Sequence, residues 1–151
     1  MPLAFALHLL AAAVWVGGMF FAYQVLRPVA SEMLEPPVRL ELWKNVLWRF
    51  FPWVKGSIVL LFLSGFWLLH GLGGMAKVGW HIHLMLLLAV VMSVVFFIIR
   101  GKYYCGLKDA VERGDWSEGA VRLGVIRKAV GFNLILGLIV IAVAGMGRYL
   151  G

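Results

Sequence analysis

Residues 78–99, "VGWHIHLMLLLAVVMSVVFFII", contain no Lys, Arg, Asp or Glu. A helix needs roughly 20 mainly apolar residues to cross the hydrocarbon core of a bilayer. This stretch has that length, and so do three other charge-free runs, 1–26, 56–76 and 129–147. The pattern predicts an all-α integral membrane protein: a four-helix bundle forming one domain over 1–151, with spans at about 3–27, 53–71, 79–100 and 124–147. Composition points the same way. The chain is 63% hydrophobic and 14% charged, whereas soluble domains are about 45–50% apolar. A soluble core could not hide that much apolar surface in 151 residues. The first run lacks a basic leading segment and a small-residue cleavage site, so it is expected to be a span and not a signal peptide.

The net charge is +7, but its distribution argues against a nucleic-acid partner. Arg27, Arg39, Lys44, Arg49 and Lys55 lie between the first and second runs. Arg100, Lys102, Lys108, Arg113, Arg122, Arg127 and Lys128 lie between the third and fourth. With four spans, those two connections share one side. Only Lys77 and Arg148 fall on the other. The positive-inside rule makes the basic side cytoplasmic and places both termini outside, in a bacterial inner membrane. Attraction to anionic lipid is a secondary consequence.

The connections carry pattern of their own. In 38–51, "VRLELWKNVLWRFF", charged residues interrupt an apolar series. The spacing predicts an amphipathic helix on the cytoplasmic surface, with Pro52 marking entry to the second span. Residues 101–119 are polar, broken by Gly106, Gly114 and Gly119, and read as a cytoplasmic connection with a helical part. The single cysteine, Cys105, cannot form an internal disulfide and reads as an interfacial thiol.

All four histidines, His8, His70, His81 and His83, fall in the outer half or at its edge. An ionisable group inside a membrane is costly without a partner, which makes it a candidate for function. Neutral imidazole binds iron, copper and zinc. His8 lies deepest. His8, Ala12, Trp15 and Met19 share one helix face, with Ala11, Gly17 and Gly18 beside it. His81 and His83 are two apart, so they point about 200° from one another. They cannot both face one small site, and spacing leaves open which of them faces His8. His70 adjoins the "GLGG" loop (71–74) and is a further ligand or a supporting group.

Two chemistries fit. A b-type haem takes axial imidazoles from two helices at matching depth, with small residues beside the ring. Copper takes imidazole and thioether ligands, and Met1, Met75, Met85 and Met146 all lie toward the outer face, unlike Met19, Met33 and Met92. Packing is the commoner use of a methionine. No nucleophile–base arrangement, phosphate loop or CxxC pair occurs, and the acidic residues are confined to the basic side. Ser57, Ser64 and Ser93 can bond back to their own helix and need no further role.

"LHLLAAAVWVGGMFF" (7–21) resembles the opening helix of the copper-resistance D (CopD)-like superfamily and of the related membrane protoporphyrinogen oxidase, HemJ. "GWHIHL" (79–84) and "YYCG" (103–106) are similar to segments of that superfamily as well. The resemblance implies a four-helix membrane protein with a metal or redox role. In the HemJ branch it implies haem b with His8 and His81 as the matching histidines. A position often lysine in that branch is His83 here, and the start of the fourth helix, "RLGVIRKAVGF" (122–132), lacks the acidic residue of that branch. In the CopD branch it implies copper uptake.

The leading expectation is therefore a membrane b-haem protein, an oxidoreductase or electron carrier. Its axial ligands are His8 and either His81 or His83, with His70 in reserve. Copper handling, with these histidines and Met75, Met85 or Met146, is the alternative, and protoporphyrinogen IX oxidation the second alternative. The expected partners are the lipid bilayer and, for the redox reading, a quinone or redox protein. The sequence allows a homo-oligomer without specifying its interface.

Overall fold

A computed structural model describes residues 1–149. It contains four long helices: α1 (Pro2–Met33), α2 (Pro36–Gly71), α3 (Trp80–Glu112) and α4 (Trp116–Met146). All four are long and apolar enough to cross a membrane, and the described residues contain no strand. The protein is an all-α, multi-pass membrane bundle.

The helices are 31 to 36 residues long. At about 1.5 Å per residue they reach roughly 47–54 Å, well beyond a hydrocarbon core of about 30 Å. The surplus lies at the basic end. This corrects the reading of 38–51 as a separate surface helix: it is the first part of α2, continuous through Pro52. The proline forfeits one backbone bond and crowds the carbonyl four residues earlier, yet the helix runs on through it. Tertiary packing outweighs that loss, because Leu40, Trp43, Leu47 and Phe51 turn one face of the segment into the bundle core. The amphipathic stripe faces other helices and not a lipid surface. The polar stretch after the third span is likewise mostly helical, and α3 continues to Glu112. Single π-helical turns lie within α1 at Phe21–Leu26 and within α3 at Ile99–Tyr103.

The basic end has a tight core of its own. Leu40, Leu107, Ala110 and Ile126 are all at most 2% exposed. The Tyr104 hydroxyl donates to the Lys44 carbonyl at 2.9 Å, tying α3 to α2. Its ring meets Phe51 edge-on and stacks beside Trp48. Asp115 starts α4 by accepting from the Glu118 amide at 3.2 Å, satisfying one of the free donors of the first turn. Within the spans, Trp15, Met19, Met92, Phe96 and Leu134 form the core, while Leu3, Leu63, Trp67, Leu87 and Ile135 stand exposed. Exposed apolar surface on this scale suits a lipid solvent.

Packing is closest between α1 and α2 and between α3 and α4. α1 crosses α4 at Gly137, where a Cβ would come within 2.8 Å of the Val16 side chain. Between α2 and α3, Gly73 and Gly74 take φ of +94° and +88°, a region open to glycine, and make the tight turn at the histidine end.

Candidate functional site

A cavity of about 920 Å³ opens among the four helices at the end opposite the basic residues. Helical periodicity explains its walls. From α1 come Phe5, His8, Ala12 and Trp15, and from α3 come His81, Met85, Ala89 and Met92, one stripe each. Gly65 of α2 and Gly137 and Ala144 of α4 complete it. Small residues on all four helices hold the backbones close while leaving the space between them open.

His8 is half-buried, and its Nδ1 lies 2.9 Å from the Ser64 hydroxyl. That hydroxyl also sits 2.5 Å from the Leu60 carbonyl. A serine has one proton, and so short an O···O distance needs it on the Leu60 bond. Ser64 Oγ is then an acceptor for His8, which assigns the proton of His8 to Nδ1 and leaves Nε2 with a free lone pair. A metal-binding imidazole is commonly oriented this way, with its second nitrogen donating to a fixed acceptor.

His81, in the first turn of α3, is also half-buried, and its Nδ1 is inaccessible to water without any hydrogen-bond partner. An unpaired buried polar nitrogen costs about 1–3 kcal/mol. The ring is wedged between Gly79 and Gly147: a Cβ on either would come within 2.7 Å of it. Only glycine at both positions allows the ring to sit there.

His8 and His81 thus come from two helices to one cavity. His83, about 200° round α3 from His81, is exposed and does not line it. His70 ends α2, is exposed, and is also outside the cavity. Met75 and Met85 line it, as do Met1 and Met92, while Met146 is half-exposed and does not. Two methionines depart from the expected grouping: Met146 is left outside the cavity, and Met92 reaches it from the deeper end of the stripe.

Sequence alone gives Ser64 no role beyond a bond to its own helix. Its signal was depth: in antiparallel helices, a residue seven from the end of α2 sits level with one six from the start of α1. Among the described residues, no Asp, Glu, Lys, Arg or Cys lines the cavity. Nor do the described residues contain a group of three or more His, Cys, Asp or Glu able to hold a metal. The available donors are two imidazoles and several thioethers, a soft set without the carboxylates preferred by magnesium or calcium.

No curated protein and no solved structure matches this chain. The family model for copper resistance protein D matches residues 44–146. The matched segment includes Ser64, Met85 and His81 and begins after His8. Of the two families that the sequence resembles, the match is to the copper one, and this chain belongs to the copper resistance protein D family.

Proposed function

We propose that this protein handles copper inside the membrane, taking up Cu(I) in the cavity between His8 and His81. The observation that carries the reading is the pair of imidazoles lining one cavity that holds no carboxylate among the described residues, with the His8 proton held on Nδ1 by Ser64. Thioethers and imidazoles select Cu(I) over harder ions, and Met85 stands one helical turn from His81 on the same stripe. Membership in the copper resistance family supports the same chemistry. The ion is cargo on this reading, so the protein binds and passes it without catalysing a reaction. In this proposal the basic end faces the cytoplasm, as the positive-inside rule requires, and the cavity faces outward.

The direct test is a Cu(I) titration of the purified full chain against a chromogenic Cu(I) chelator. One bound equivalent that disappears in both His8→Ala and His81→Ala supports the proposal. No bound copper in the wild type overturns it.

One observation favours a second reading. A cavity of about 920 Å³ lies in the range of cofactor sites, about 300–1,000 Å³, and exceeds what a bare ion fills. His8 and His81 would hold a b-type haem there, and the haem would supply one-electron chemistry. A Soret band in the purified protein, lost in His8→Ala, would move the assignment from copper to haem.

A further inference from the structure

A second cavity, about 520 Å³, lies in the basic half. On α1 it is lined by Trp15, Met19, Tyr23 and Arg27, at intervals of four residues. On α4 it is lined by Arg127, Val130 and Asn133, at intervals of three. Along both helices it passes from an arginine at the rim to a buried floor. The twelve residues from Arg27 to Trp15 span about 18 Å of helix. Trp15 also borders the histidine cavity and so lies between the two.

The rim is cationic. Arg39 joins Arg27 and Arg127 there, against one carboxylate, Glu32. None of the three arginines is in an ion pair among the described residues, where the pairs are Lys44–Glu41 and Arg122–Glu118. Arg27 Nε donates to the Tyr23 carbonyl at 3.3 Å, and Arg39 Nη1 to the Ser31 carbonyl at 3.4 Å. Both guanidiniums keep further donors free. Below them the wall is apolar: Met19, Phe51 and Phe96 are each at most 4% exposed. Gly124 lies one turn from Arg127, and a Cβ there would meet nothing within 4 Å.

We infer that this cavity binds an acidic phospholipid, with the headgroup oxygens on Arg27, Arg39 and Arg127 and an acyl chain running past Met19 toward Trp15. The shape and polarity match an amphiphile with an anionic head. Basic pockets between membrane helices bind acidic headgroups through charge and forked hydrogen bonds. Apart from the Asn133 amide, whose Oδ1 is buried without a partner among the described residues, the floor is apolar and gives the chain a place that a free anion would not use. This site is separate from the copper proposal and stands or falls independently of it.

The test uses the full chain, measured by native mass spectrometry and thermal unfolding in bilayer discs. Phosphatidylglycerol should co-purify and raise the unfolding midpoint, while phosphatidylcholine should do neither. Inorganic phosphate is the probe for a free-anion site, and millimolar phosphate alone should not reproduce the shift. The double variant Arg39→Gln/Arg127→Gln should lower the preference for phosphatidylglycerol by about tenfold or more. Gly124→Phe, which fills the cavity and keeps every charge, should expel the lipid while the helical circular dichroism stays native. Equal stabilisation by phosphatidylcholine, a full shift with phosphate alone, or lipid retained in a folded Gly124→Phe protein would each overturn the inference.

Discussion

His8 Nδ1 meets Ser64 Oγ at 2.9 Å across the α1–α2 interface. A serine that turns its own proton back to Leu60 becomes a fixed acceptor, and that acceptor decides which nitrogen of His8 remains basic. The consequence is direct. Ser64→Ala keeps every imidazole yet frees the His8 ring to rotate and change tautomer. Loss of such a supporting partner costs roughly 10–100-fold in metal affinity. Chelator competition should register that weakening, with Ser64→Thr recovering most of it. Unaltered Cu(I) affinity in Ser64→Ala would remove Ser64 from the site.

The four histidines should separate into two classes. His81→Ala should lose copper as fully as His8→Ala. His70→Ala and His83→Ala should stay close to wild type, because both side chains lie outside the cavity. Copper-binding isotherms of the four single variants decide this. A large loss in His83→Ala would contradict the assignment of the α3 stripe.

Met85 distinguishes a ligand from core filler. Met85→Leu conserves volume closely, and such exchanges in a core usually cost under about 1.5 kcal/mol. Its unfolding midpoint should therefore remain near that of wild type while Cu(I) affinity falls several-fold. Equal affinity would return Met85 to a packing role.

Tyr104 anchors the basic end through its hydroxyl bond to the Lys44 carbonyl. Tyr104→Phe keeps the ring contacts and removes only that bond, for a cost of about 0.5–1.5 kcal/mol. Denaturant unfolding should show this modest loss, with copper binding untouched, since Tyr104 does not line the histidine cavity.

Cys105 reports orientation. It is the single cysteine of the chain and is exposed at the basic end. In intact cells a membrane-impermeant maleimide should leave it unlabelled, and labelling should follow once the membrane is opened. Labelling in intact cells would reverse the proposed topology.

The sequence by itself determined the spans. Four charge-free runs of membrane-crossing length leave few alternatives, because a bilayer penalises charge whatever the neighbours do. It also restricted the histidines to one end and showed that His81 and His83 face different ways, since helical period follows from backbone geometry alone. Only the tertiary structure decided which of those directions points inward. That choice depends on how α3 is rotated against α1 and α4, and it is held by Gly79 and Gly147, whose lack of a Cβ admits the His81 ring. The role of Ser64 was invisible for the same reason, since its partner is 56 residues away in the chain and meets it only when α1 packs on α2. Residues 38–51 are the converse case. An amphipathic period looks alike whether its apolar face meets lipid or other helices, and here the packed core around Leu40 and Leu47 settles it in favour of the helices.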